Sequence, residues 1–315
     1  MYPQHGMTKV RSYRRIRHSL RQFLCTALFC AAGAAPAMAT PLELLTYAPP
    51  VTQEYHAGKV VLTELVTPDL AAAEQFYSGL FGWTFRDIQS GRTEYTGAFL
   101  NDHLVADLIQ KPVPAGEHRQ PAWLTFISAP DVDAAKDIAV KNGAKLLFGP
   151  RNITDRGREA VLADPQGAVF ALLASSSGDS SDVLAGPGEW IWSSLITRDP
   201  DTDAAFYQKL FNYEVFDLSS DNKAGHLLLA SGNYARGSVN VLPTKNIHSH
   251  PHWLNFVHVE NTDEAAAKVI ALGGHVLVKP RVDRHGGIVA VVTDPQGAPF
   301  GLMEWPDTES EKVSK

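Results

Sequence analysis

Residues 162–173 read LADPQGAVFALL, and residues 292–303 answer with VTDPQGAPFGLM. Asp164-Pro165-Gln166-Gly167 has the chemistry of a type I turn. Aspartate suits its first corner, proline presets the second and glycine tolerates the fourth. An apolar run follows each copy, so each reads as the tip of a hairpin that enters a buried strand. The two copies stand 130 residues apart, and so does much else. LVTPDLAAAEQFYSGLFGW (65–83) matches LITRDPDTDAAFYQKLFNY (195–213). PAWLTFISAPDVDAAKDIAVKNGAKLLFGPR (121–151) matches PHWLNFVHVENTDEAAAKVIALGGHVLVKPR (251–281). The chain is therefore a tandem repeat, and the repeat decides the architecture.

Each half repeats itself again. LTELVTPDLAAAEQF (62–76) resembles LTFISAPDVDAAKDI (124–138) at an offset of 62. Each stretch predicts a short strand, a capping aspartate and a helix. Leu70, Ala73, Tyr77 and Leu80 fall on one helical face, with Asp69 as N-cap. Three short alternating runs follow, near 83–87, 94–100 and 103–110 in the first unit and near 144–149, 159–163 and 168–174 in the second. The unit is β-α-β-β-β, and the chain holds four. Trp123 and Trp253 are expected beneath the helices, and Phe76-Tyr77 and Phe206-Tyr207 on the helices' core faces.

Outside the repeats the chain begins with a basic stretch, Lys9 to Arg21, then FLCTALFCAAGAAPA and AMA at 37–39. This is the pattern of a secretory leader, with cleavage expected after Ala39. The apolar run is shorter than the ~20 residues a membrane span needs. The expected mature chain has a lead over 40–57, a first domain over 58–174, a linker over 175–187 that is flexible by composition, a second domain over 188–305 and a disordered tail over 306–315. Removing the leader leaves 22 Lys and Arg against 34 Asp and Glu, a net of −12. That balance argues against nucleic-acid binding, and no membrane span remains after cleavage. Cys25 and Cys30 both lie in the leader, so the expected periplasmic protein has neither disulfides nor thiolate chemistry.

The stretch VTPDLAAAEQFYSGLFGW, the strands PAWLTF and PHWLNF, and GREAVLADPQGAVF together resemble the vicinal oxygen chelate superfamily of glyoxalase, bleomycin-resistance and extradiol-dioxygenase proteins, in its tandem Cfp30B-like branch. The resemblance spans about 58–305. It implies an α+β fold of two glyoxalase-like domains, each a cupped mixed sheet of two modules with helices outside. It also implies a divalent metal in each cup, held from the opening and closing strands. Here those positions fall on Leu62, Leu124 and Ala171, with a carboxylate only at Asp107. In the second half they fall on Trp192, Leu254 and Gly301, with the inner-strand position near Ser238 or Asn240. The expectation is therefore no metal and no cofactor.

Residues sharing strand parity with those positions should line the cups. In the first cup these are Glu64, Phe126 and Asp107, two carboxylates suited to acid–base work in an apolar setting. In the second they are Trp190, Trp192, Ser194, His252, Phe256 and His258, a cup suited to a planar or apolar ligand. His248, His250 and His252 share spacing two, which offers a separate surface metal site, although Pro251 interrupts it. The reading is a small-molecule binding protein in the manner of the bleomycin-resistance proteins, as a monomer or homodimer. The alternatives are a metal-independent lyase, isomerase or hydrolase using Glu64 or His258 as general base, and a metalloenzyme of the glyoxalase or dioxygenase type.

Overall fold

The computed structural model describes residues 54–90, 93–111, 121–219, 225–243, 250–283 and 286–305. The leader, most of the N-terminal lead, the tail and His248 lie outside them. Four β-α-β-β-β modules follow one another. The first holds β1 (Val60–Thr67), α1 (Leu70–Phe81), β2 (Thr84–Ser90), β3 (Thr93–Leu100) and β4 (His103–Gln110). The second holds β5 (Ala122–Ser128), α2 (Val132–Lys141), β6 (Lys145–Ile153), β7 (Gly157–Ala163) and β8 (Val169–Ser175). The third holds β9 (Trp190–Thr197), α3 (Pro200–Phe211), β10 (Glu214–Asp217), β11 (His226–Ser231) and β12 (Tyr234–Val241). The fourth holds β13 (His252–His258), α4 (Thr262–Ala271), β14 (His275–Val282), β15 (Ile288–Thr293) and β16 (Pro299–Glu304).

The helices begin where the sequence supplies caps. Asp69, Asp131, Asp199 and Asn261 each accept a hydrogen bond from the backbone N–H three residues on. Paired modules join through their opening strands, which run antiparallel. The result is two eight-stranded mixed sheets, ordered β2-β3-β4-β1-β5-β8-β7-β6 and β10-β11-β12-β9-β13-β16-β15-β14. The helices lie outside each cup, on its far face. There the two sheets meet back to back through them: α2 packs with α3 in one core, and α1 with α4 in another. Trp123 and Trp253 are buried in those cores, with Phe76, Tyr77, Phe206 and Tyr207. Thr125 and Asn255, equivalent by the 130-residue offset, bond each other across the centre, Nδ2 to Oγ1 at 2.9 Å.

The repeated turns take part in this union. Asp164 Oδ1 accepts from the backbone N–H of Gln166, Gly167 and Ala168, which closes the turn. Its other oxygen accepts from Tyr207 of α3, in the opposite half, at 3.2 Å, and Trp253 Nε1 donates to that tyrosine oxygen at 2.9 Å. Asp294, Tyr77 and Trp123 make the reciprocal set at 3.3 and 3.0 Å. Asp-Pro-Gln-Gly is written twice because each copy latches one half to a helix of the other.

The linker, flexible by composition, is held by specific bonds. Arg236 makes a paired contact with Asp182, Lys59 reaches the Ser180 and Ser181 carbonyls, and Ser128 donates to Asp179. No helix among the described residues is long and apolar enough to cross a membrane.

Candidate functional site

Alternation along β1 and β4, in parallel register, sets Glu64 opposite Asp107 on the first cup face. A cation from the turn before β7 meets them. Arg156 is 4% exposed. Its Nη1 donates to Glu64 Oε2 at 2.7 Å and stands 3.7 Å from Asp107 Oδ2, and its Nε lies 3.3 Å from Glu159 Oε2. The guanidinium rests over the Phe126 ring at 4.5 Å, with Tyr95 at 5.7 Å. Three carboxylates thus surround one buried positive charge. Burial pushes the Glu159 carboxyl up, Arg156 opposes that, and Glu64 adds to it. Burial, then Asp107, raise the Tyr95 phenol to about 12. Glu64, Asp107 and Phe126 share this cup as the alternation suggested. Arg156, Glu159 and Tyr95 are not among the lining residues that strand parity names.

The second cup carries no such charge. At the matching positions Ser194 stands opposite Ser238 in the β9–β12 register. Their hydroxyls lie 2.8 Å apart. Trp192 Nε1 donates to Ser238 Oγ at 3.1 Å, as does Asn240 Nδ2 at 3.0 Å, and Asn240 Oδ1 meets His226 Nδ1 at 2.6 Å. Around this polar floor Leu254, Phe256, Val289 and Met303 form an apolar wall, with Trp192 and Ile196 half-buried against it. Ser238, Asn240 and His226 complete a network of which strand parity names Trp192 and Ser194.

One expected lining residue is turned away from the cup, and two others stand far apart along it. Trp190 does not face the cup. A bulge at Ile191 pairs Trp192 with Phe256 but Trp190 with Val257, so the alternation slips and Trp190 turns toward the helices. There its ring lies 4.9 Å from Trp123 and its Nε1 donates to the Val105 carbonyl. His252 and His258 mark opposite ends of β13, about 20 Å apart at strand spacing. They do not converge on one ligand. His258 Nδ1 donates to the Ala185 carbonyl at 2.8 Å, which leaves Nε2 as the basic nitrogen. His252 Nδ1 donates to the His250 carbonyl, and His250 is exposed.

A divalent metal needs several N, O or S donors converging on one point. In the first cup the converging oxygens already surround a guanidinium. In the second, Gly301 takes the closing-strand position, and the Phe256 ring lies on it: a Cβ at 301 would stand 2.0 Å from Phe256 Cδ1. Neither donor set fits a metal, and no three His, Cys, Asp or Glu among the described residues are grouped to hold one.

Residues 59–172 match the family described as Glyoxalase/Bleomycin resistance protein/Dioxygenase superfamily, and residues 193–303 match a glyoxalase-like domain. Over 257 residues the chain is 32% identical to "Putative glyoxylase CFP32" of Mycobacterium bovis, across 81% of this chain and 98% of that protein. Over 253 residues it is 29% identical to the anthracycline biosynthesis protein DauV of Streptomyces sp. (strain C5), across 76% and 91%. The solved 2,3-dioxygenase LapB from Pseudomonas sp. KL28 superposes with a TM-score of 0.56 at 12% identity, across 81% of this chain and 96% of that one, a likeness of fold alone.

Proposed function

The chain belongs to the glyoxalase/bleomycin resistance protein/dioxygenase superfamily, and from that premise we propose that it is an exported, metal-independent member that binds a small, neutral, aromatic or apolar molecule in its second cup. One observation carries the reading: the cup that would hold an ion in a metal-dependent relative holds the Phe256 ring on Gly301 instead. An apolar wall with a few fixed polar groups is the usual make-up of a small-molecule site. The first cup, bound up in its own Arg156 cluster, braces the fold. The name of the Streptomyces relative is in keeping with a planar ligand. The basic-then-apolar leader and the absence of cysteine from residues 40–315 support export.

The test is a native mass spectrum of protein purified from its own cell envelope. A co-purifying neutral organic mass is expected on a chain beginning at Thr40. A stoichiometric divalent ion whose chelation lowers the melting temperature would overturn the proposal. A second reading, catalysis by His258, is favoured by its fixed tautomer. In that case His258→Asn abolishes turnover of the co-purified molecule and retains its binding. Glu64, the other candidate base, is engaged by Arg156 and almost wholly buried.

A further inference from the structure

The hydrogen-bond network in the second cup has a direction. Ser238 Oγ receives two N–H donors, from Trp192 at 3.1 Å and Asn240 at 3.0 Å. A serine oxygen has two lone pairs and one hydrogen. Both lone pairs are taken, so the hydrogen of Ser238 goes to Ser194 Oγ, 2.8 Å away. Asn240 is held in the orientation this requires, because its Oδ1 faces His226 Nδ1 at 2.6 Å. The order runs from His226 through Asn240 and Ser238 to Ser194. Ser194 accepts at one end, and its own hydrogen has no acceptor among the described residues. Ser194 is 5% exposed and shares strand parity with Trp192 and Ile196, which pack against the cup wall. A buried donor without an acceptor is costly, and a ligand oxygen would satisfy it.

On the reading of the second cup as a binding site, we propose that Ser194 is its specificity-determining hydrogen-bond donor, and that the site selects a flat, uncharged molecule bearing a carbonyl oxygen. The opposite cup shows the contrast. The equivalent of Ser194 there is Glu64, an acceptor already committed to Arg156. An anionic ligand is disfavoured in the second cup, since none of its floor residues carries a fixed positive charge and its walls are apolar.

The experiment titrates the full chain with 9-fluorenone and with fluorene, which differ by one carbonyl oxygen. Wild type is expected to bind fluorenone about tenfold more tightly, the size of one well-placed hydrogen bond. Ser194→Ala should keep the fluorene affinity and lose the preference. Asn240→Asp replaces the N–H donor by an acceptor, so Ser238 then donates to residue 240 and Ser194 to Ser238. That variant should also lose the preference although Ser194 is intact, which a purely structural role for either residue would not produce. Trp192→Ala should weaken both probes. Equal binding of the two probes by wild type, or a preference that survives Ser194→Ala, overturns the donor assignment alone. Binding of neither probe, or binding unchanged in Trp192→Ala, overturns the second cup as the site and this inference with it.

Discussion

Arg156 balances more negative charge than one guanidinium can neutralise. Glu64, Asp107 and Glu159 are each less than a tenth exposed, so water does little to offset their mutual repulsion. Replacing Arg156 with methionine keeps its bulk over Phe126 but strands the carboxylates. Removing one partner of a buried ion pair typically costs about 3–5 kcal/mol. The loss should be largest at neutral pH. Burial already raises Glu159, and an acid raised in the folded state stabilises the fold below its unfolded pKa and ceases to as pH rises through its folded one. Without the guanidinium Glu159 loses the charge that opposes its rise. Urea midpoints at pH 5 and pH 8 are expected to show a wider gap in Arg156→Met than in wild type, and equal gaps would contradict the ion-cluster account. At this scale the sequence was half readable. Strand alternation brought Glu64 and Asp107 together from a two-residue period alone. It could not find Arg156, because 92 residues separate that side chain from Glu64 and it arrives from a turn, where no period holds.

Among the elements, the repeated turn has the clearest energetic consequence. Burial, helped by Asp203 on α3, pushes Asp164 up to about 6, against the Ala168 and Gln166 N–H groups and the Tyr207 hydroxyl that favour its charged form. The sign follows as for Glu159. Asp164 contributes stability below its unfolded pKa of about 3.9, and that contribution is lost as pH rises through 6. Asp164→Asn keeps an oxygen for the turn and removes the titration. Its unfolding free energy is expected to vary less between pH 5 and pH 7 than that of wild type, and an unchanged slope would place the titration elsewhere. Tyr207→Phe leaves the Trp253 indole without its acceptor and Asp164 without that donor, and should cost about 1–2 kcal/mol, more at pH 7 than at pH 5. The elements themselves were readable to within a few residues, since caps and alternation are local. The bulge at Ile191 was not, because an extra residue leaves the pattern of apolar types intact while reversing every side chain beyond it. That reversal is why Trp190 packs with Trp123 and leaves the cup to Trp192.

At the scale of the whole molecule the two family domains pack as one body. The described residues fall within a single compact body, Glu43–Lys315. The faces that would be exposed by parting the halves carry Phe76, Tyr77, Phe206, Tyr207, Phe170 and Phe300, all at most 4% exposed. Each such side chain is worth roughly 1.5–3 kcal/mol of burial, and the reciprocal turn latches and the Thr125–Asn255 bond would break as well. A loss of that size is comparable to the whole stability of an ordinary domain, about 5–15 kcal/mol. Sequence repetition could count the modules, but it could not say that α1 seeks α4 and α2 seeks α3, since a repeat specifies each unit and is silent on which face meets which. Calorimetry is therefore expected to give one transition, with van't Hoff and calorimetric enthalpies in agreement. Arg236→Ala, which leaves Asp182 of the linker with Lys59 alone, should lower that single transition without splitting it. Two resolved transitions in wild type would mean that the back-to-back cores contribute far less than their burial implies.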